Sequence, residues 1–572
     1  MTTPIDEFIK VHAYRQAEWI NNAIILISDL DGAPKLYHMK NNELKNISPD
    51  LDRVIGYRKD LENGIVFMVH DVGGNERWYI TALDLSKNEK LFSIGDNNSI
   101  NIPGIPNSRW NLLPYTTNRN DPREFEIFIY NYKENTEHKV FGPSENIYAG
   151  EISPDGKKLV IIKNIMTWEQ HIYFLDIESG EVIDSIESPD THLSNIHWID
   201  SESLYLVTDY NEDKRYIAKY TLNGEMEKVV EEKYEIEMMK HRNGKMVYTL
   251  NVSGDNILKI DGQEIRKPMG VVTHMDVDRE LIFSIHTVKY GESIWKLENG
   301  ELKLVKYCKK LDKLSRYIIE PKVFRTVASD GLELESLLYI PEKPRGAVIH
   351  PHGGPESQSR PVYNPVIQIL VNKGFTIVQP NYRGSTGYGK EFRHMDDKRK
   401  RERSLKDIVE VLEDLSRRGV INKEKVAIMG GSYGGFATLY LITHYPNLWR
   451  AAISVVGISN LETFLRNTGP WRRRIREMEY GSLEEDLEFL RKISPIYYID
   501  RIETPLLLIH GRNDPRVPVG ESIQIYNKLK NLGREADIYI FEDEGHGITK
   551  LKNKIIYIDL IVNWLSKYIR DN

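Results

Sequence analysis

The chain reads as two domains of different class, an N-terminal all-β propeller of seven blades and a C-terminal α/β domain. Three observations carry that reading. A strand ending in an apolar residue and followed by a polar turn recurs seven times before residue 320. Beyond residue 320 the pattern changes to near-continuous apolar runs alternating with helical stretches. The 572 residues also exceed the roughly 250–300 at which a single hydrophobic core stops growing.

The recurring marker runs through Tyr37-His38-Met39, Leu83-Asp84-Leu85, Tyr130-Asn131-Tyr132 and Leu175-Asp176-Ile177. It continues through Tyr220-Thr221-Leu222, Ile260-Asp261-Gly262 and Leu297-Glu298-Asn299-Gly300. Between the markers lie other short β-branched strands such as Gly64 to Val69 and Lys158 to Ile162, with Ser153-Pro154-Asp155-Gly156 as a turn. A period of roughly 40 residues with about four short strands per unit is the pattern of a propeller; an irregular sandwich gives no reason for such even spacing. The expected boundaries are an N-terminal helical extension over 1–19, with a helix from about Asp6 to Trp19, the propeller over 20–318 and the α/β domain over 319–572.

In the C-terminal part, the strand-like runs are Leu332 to Ile340, Gly346 to His350, Phe375 to Gln379 and Val426 to Met429. Ala451 to Val456, Leu506 to His510 and Ile538 to Phe541 follow. Helical stretches separate them. One opens on a capping box formed by Ser404 and Asp407 and places Ile408, Val411, Leu412 and Leu415 on one face; the last runs from about Asn553 to Ile569. Such alternation predicts an open, mostly parallel sheet wrapped by helices.

Composition excludes several function classes. The net charge of −7 is spread along the chain, without the concentrated basic surface of a nucleic-acid binder. No run approaches the roughly 18–20 apolar residues that cross a bilayer, so no membrane role is expected. Cys308 is the single cysteine, which precludes an intrachain disulfide, and the first residues lack a basic and apolar leader pattern; the expectation is a cytoplasmic protein.

The sharpest feature is Val426-Ala427-Ile428-Met429-Gly430-Gly431-Ser432-Tyr433-Gly434-Gly435-Phe436-Ala437. An apolar strand runs into Gly-x-Ser-x-Gly and then into a helix. A serine on so sharp a turn needs strained backbone, and the residues two positions away must lack side chains for strand and helix to approach. The following helix turns its N-terminus toward the serine, where developing negative charge is favoured. This is the nucleophile elbow of an α/β-hydrolase domain, and it makes Ser432 the candidate nucleophile.

Serine at its free pKa needs a base and an orienting acid, and this fold orders them nucleophile, acid, histidine. The strand ending at His510 leads into Gly511-Arg512-Asn513-Asp514-Pro515-Arg516, which puts Asp514 in a loop beyond a strand's C-terminal end. The next strand ends in Glu542-Asp543-Glu544-Gly545-His546, which presents His546 at the same edge. Asp543 and Glu544 are rival acids, too close in sequence to orient His546, and are expected to be solvated. Backbone N–H groups are the expected oxyanion donors, one from Tyr433 and one from the loop His350-Pro351-His352-Gly353-Gly354-Pro355. His350 and His352 have no accompanying ligand cluster, so loop packing rather than metal binding is expected of them, and no metal or other cofactor is called for.

Taken together, these stretches, with Pro380-Asn381-Tyr382-Arg383-Gly384-Ser385-Thr386-Gly387-Tyr388-Gly389, resemble the prolyl oligopeptidase family of serine peptidases, and within it the acylaminoacyl-peptidase group. The resemblance covers nearly the whole chain. It implies a Ser432, Asp514 and His546 triad, an oxyanion hole from the N–H groups of Tyr433 and Gly354, and Arg516 on a substrate carbonyl. His352 stands where some relatives carry a tyrosine hydroxyl donor, which leaves the second donor to the backbone. Also implied are short peptide substrates, admitted past a capping propeller, and a homo-oligomer. The expected activity is release of N-acylated residues from short peptides, with esterase activity. The alternatives are an oligopeptidase, a dipeptidyl-peptidase with acidic residues such as Glu231 and Glu232 for a free amine, a carboxylesterase, or a propeller binding module with an inactive hydrolase domain. The side-chain pocket next to the scissile bond is expected from dispersed loops such as Phe464 to Trp471.

Overall fold

In a computed structural model, which describes residues 4–242 and 244–570, the chain forms seven four-stranded antiparallel sheets followed by one eight-stranded sheet. The seven small sheets occupy 14–46, 53–94, 101–144, 147–186, 193–230, 236–265 and 271–306, each from one contiguous stretch of chain. Each recurring marker lies at the third strand of its sheet, and its polar turn is the hairpin to the exposed fourth strand. Asn299 and Gly300 illustrate the chemistry: both have positive φ, 53° and 81°, as a tight hairpin turn requires. Second strands such as Ala23–Ser28 are buried along their whole length, which is why they read as continuous apolar runs.

The expected N-terminal helix is corrected. A short 3₁₀ helix covers Pro4–Lys10, whereas Tyr14–Ile20 is the first strand of the first blade; residues 1–3 of the expected extension lie outside the described residues. The helix-like spacing has a physical cause. The strand is irregular between Arg15 and Glu18, with Gln16 at φ 51°, so Tyr14, Ala17 and Ile20 are buried at a spacing of three that imitates a helix. Phe8 packs into the core of the C-terminal domain, where its carbonyl accepts a bond from the Tyr363 hydroxyl at 2.7 Å.

Because each blade is contiguous, no strand is exchanged to close the ring among the described residues. First and last blades are instead tied by side chains. Ala17 N–H donates to Ser284 Oγ at 3.0 Å and Trp19 N–H to Asp276 Oδ2 at 2.7 Å. From the second blade, Lys59 Nζ also reaches the last, bridging Asp276 and Asp278 at 2.6 and 2.5 Å.

The large sheet runs β1 Lys322–Val327, β2 Glu333–Tyr339, β3 Gly346–Ile349, β4 Phe375–Asn381, β5 Val426–Gly431, β6 Ala451–Val455, β7 Leu506–Gly511 and β8 Ala536–Phe541. Its order is β1-β2-β4-β3-β5-β6-β7-β8, antiparallel through the β2–β4 pair and parallel thereafter. Apolar cores lie on both faces, under helices that include Arg401–Arg417 and Leu551–Tyr568. The proposed capping box is not one. The helix starts three residues earlier, and Ser404 Oγ donates to the Arg383 carbonyl while Asp407 pairs with Arg383 and Arg403. Among the described residues no helix is long and apolar enough to cross a membrane.

Asp276 is buried at the seam of the ring, so Asp276→Ala removes acceptors for both Trp19 N–H and Lys59. The expected cost is about 1–3 kcal/mol. It is read as a lower thermal midpoint and earlier proteolytic cleavage near the first strand; unchanged cleavage would show that the Asp276 contacts do not hold the ring.

Candidate active site

Ser432 sits between β5 and the helix Tyr433–His444 with φ 56° and ψ −119°, a conformation that costs a residue with a side chain about 1–3 kcal/mol. Its N–H is held by the Val455 carbonyl of the neighbouring strand at 2.9 Å. The flanking glycines follow from close approach. A Cβ on Gly430 would lie 2.2 Å from the Gly434 carbonyl oxygen, and one on Gly434 would lie 2.3 Å from that of Pro351. Gly435 meets Gly457 Cα at 2.7 Å, whereas Gly431 meets nothing closer than 3.9 Å. Three of the four glycines are therefore steric requirements. The N–H groups of the first helical turn, Tyr433's among them, point out of the helix end beside Ser432.

His546 joins the two other residues expected at the site. Its Nε2 lies 3.1 Å from Ser432 Oγ and its Nδ1 lies 2.7 Å from Asp514 Oδ2. With Nδ1–H donating to the carboxylate, Nε2 is left as acceptor for the serine hydroxyl proton. The other carboxylate oxygen of Asp514 accepts the N–H groups of Arg516 and Val517 at 2.8 and 3.0 Å. Burial alone would raise the pKa of Asp514. Hydrogen bonding and charge from His510 and His546 outweigh it and hold the carboxyl well below the usual carboxylate range. Asp514 is thus ionised wherever the protein is folded near neutrality.

The loop after β3 runs alongside the serine. A Cβ on Gly353 would stand 3.4 Å from Ser432 Cβ, and Gly354, at φ 125°, lies next to it. His352 is stacked on Tyr382, with Nε2 2.8 Å from Ser385 Oγ and Nδ1 2.8 Å from the Gly353 carbonyl. Burial pushes the pKa values of His350 and His352 down to about 4, so both are neutral packing groups of this loop.

Arg516 is not a free loop arginine: its Nε donates to Glu76 of the propeller at 2.6 Å. The same propeller loop touches both loops that carry Asp514 and His546. Asn513 Nδ2 donates to the Gly73 carbonyl at 3.0 Å, and a Cβ on Gly74 would lie 2.6 Å from the Gly545 nitrogen. Glu76 and His510 were not singled out from the sequence. The Gly73-Gly74 pair was the available signal for the first, since paired glycines in a propeller loop mark a close backbone approach. His510 is the last side chain of a buried strand. Its Nε2 bonds the Val517 carbonyl at 2.8 Å, and its Nδ1 lies 2.7 Å from Ser522 Oγ, fixing the Asp514 loop from below.

The expectation of a solvated Glu544 is corrected. Glu544 is 1% exposed and accepts bonds from Thr549 Oγ1, Lys550 N–H and Asn553 Nδ2 at the N-terminus of the last helix. Asp543 pairs with Lys550 and Lys552. Glu231 and Glu232 pair with Lys228 and Lys259 on the propeller. Within Phe464 to Trp471 the two aromatic ends diverge: Phe464 packs edge-on against Tyr480, while Trp471 lines a cavity of about 330 Å³ between the two domains. That cavity is bounded on the hydrolase side by Trp471, Arg472, Ile475, Arg476 and Arg516 and on the propeller side by residues that include Glu76 and Trp78.

Residues 361–572 match the sequence model of the prolyl oligopeptidase family. Over 222 residues the chain is 32% identical to dipeptidyl peptidase family member 6 of Caenorhabditis elegans, covering 38% of this chain and 30% of that protein. It is 30% identical over 235 residues to acylamino-acid-releasing enzyme 1 of Oryza sativa subsp. japonica, covering 39% of this chain and again 30% of the relative. The aligned stretches thus span less than a third of these curated relatives. Along the whole chain the fold is similar to that of a puromycin-hydrolysing peptidase of Mycobacterium tuberculosis, with TM-score 0.86, 18% identity, and 100% and 96% of the two chains covered.

Since the folded-state pKa of Asp514 is depressed, its contribution to stability is complete above the unfolded value of about 3.9 and is lost as pH falls through the folded value. The thermal-midpoint gap between wild type and Asp514→Asn should be flat from about pH 8 to about 5 and narrow only below about pH 4. A gap already closing near neutrality would contradict an ionised Asp514.

Proposed function

From a chain that carries a prolyl oligopeptidase family domain over residues 361–572, we propose a serine peptidase that cleaves short, N-acylated peptides through an acyl-enzyme. The observation that carries this reading is the unbroken chain Ser432 Oγ to His546 to Asp514, at 3.1 and 2.7 Å, on a strained elbow. His546, oriented by Asp514, takes the hydroxyl proton as Ser432 attacks the scissile carbonyl carbon. The tetrahedral oxyanion accepts bonds from the N–H groups of Tyr433 and Gly354. His546 then returns the proton to the leaving amine, and water releases the acyl group by the same route in reverse. Ester analogues of the substrate follow the same path. No step calls on a cofactor.

Charge at the cavity supports the acylated substrate. A free α-ammonium there would face Arg472, Arg476 and Arg516, and the Glu76 carboxylate is already bonded to Arg516. Acylation removes that positive charge and its repulsion. The alternative with an observation of its own is a dipeptidyl-peptidase, favoured by the similarity to the nematode protein so named; oligopeptidase and carboxylesterase activities use the same site chemistry. We further assign a homo-oligomer, for which edge strand β1 offers unpaired backbone and the exposed Val323 and Val327.

Initial rates on N-acetyl-aminoacyl, free-amine dipeptidyl and internally cleaved peptides should rank in that order, and Ser432→Ala should lower kcat by at least about 10⁴-fold. Efficient cleavage of the free-amine dipeptidyl substrates alone would sink the acyl-peptide reading. Undiminished turnover by Ser432→Ala would sink the mechanism and leave a binding module.

A further inference from the structure

The cavity between the domains holds an uncompensated positive charge. Three guanidinium groups reach it. Arg516 is bonded to Glu76 at 2.6 Å, and Arg476 faces Glu356 at 3.8 Å and donates to Thr167 Oγ1 at 2.5 Å. Arg472, between them, has no hydrogen-bond acceptor or ion-pair partner among the described residues, and its Nε is buried without one. Glu76 does act on it electrostatically, but is already bonded to Arg516. Burial and the neighbouring Arg476 and Arg516 pull its pKa down to about 10, the direction expected of a cation crowded by cations.

A second donor points the same way. Trp78 lines the same cavity from the propeller side, and its Nε1 is also buried without an acceptor. Buried donors in folded proteins are ordinarily paired, and a buried charge is ordinarily matched by an opposite one. Two unpaired donors on opposite walls, one of them cationic, describe a site for an anionic acceptor. The cavity volume of about 330 Å³ accommodates a side chain or a small acyl group. Sulfate-sized inorganic anions would satisfy the charge. The apolar lining from Trp471, Ile475 and Ile102 instead fits a carboxylate carried on a hydrocarbon stem.

We propose that this cavity binds a carboxylate of the substrate, with Arg472 as its ionic partner and Trp78 as a second donor. The inference rests on the acyl-transfer reading above and narrows its substrate class to peptides bearing a carboxylate near the scissile bond. That carboxylate belongs to a dicarboxylic acyl group or acidic residue on the acyl side, or to the C-terminus of a short leaving peptide.

Matched substrates separate these cases. Succinyl-alanyl p-nitroanilide is compared with its monomethyl ester, acetyl-aspartyl-alanyl p-nitroanilide with the asparaginyl analogue, and acetyl-alanyl-alanine with its amide. In at least one pair the wild type should favour the anionic member by about tenfold or more in kcat/KM, and added salt should shrink the ratio. Arg472→Met should bring that ratio to about one, and Arg472→Lys should restore part of it. A ratio near one for the wild type in all three pairs overturns the inference without any variant, so a misfolded Arg472→Met leaves it testable. A preference that survives in a folded Arg472→Met also overturns it. Equal hydrolysis within every pair would spare the acyl-transfer reading, whereas no hydrolysis of any p-nitroanilide or peptide would sink that reading itself.

Discussion

The backbone of Ser432 is the constraint on which the site depends. A left-handed φ of 56° at a residue with a side chain is unfavourable, and it persists only where the surroundings permit no other path. Here β5 is locked between β3 and β6, the serine N–H is bonded to Val455, and Gly430 and Gly434 let the strand and the helix meet at backbone distance. Removing either glycine's space would push apart the same segments that aim the hydroxyl. The loop at Gly353 closes the arrangement from the side, so three chain segments converge on one hydroxyl group.

His546 and Asp514 reach that hydroxyl from loops, and loops need support. Two sources supply it. His510 fixes the Asp514 loop from inside the hydrolase domain, and the propeller segment from Gly73 to Glu76 presses on the loops of Asp514 and His546 from outside. The contact between Gly74 and Gly545 is close enough that neither could carry a side chain without the loop moving. The propeller is therefore a structural support for the His546 loop as well as a wall of the inter-domain cavity. A change in the angle between the domains would be felt at the imidazole.

Much of this was legible in the chain. The third-strand hairpins repeat because each blade needs a polar turn at its outer edge, and the parallel strands read as apolar runs because both faces are covered. Ser432, Asp514 and His546 stood out because the fold orders its functional loops along one sheet edge. What failed was local pattern overruled by irregular backbone or by remote partners. Tyr14 to Ile20 imitated a helix through a bulge, Ser404 found the Arg383 carbonyl instead of capping a helix, and Glu544 was claimed by the end of the last helix. The Glu76–Arg516 pair joins residues 440 positions apart, and no periodicity announces such a contact.

The most direct test of Ser432 as the activated nucleophile is covalent labelling with a fluorophosphonate followed by peptide mapping. The expected result is a single adduct on Ser432, formed at a rate that falls by orders of magnitude in His546→Ala while the fold is retained. An adduct on another residue, or labelling of Ser432 at the same rate without the imidazole, would contradict the account.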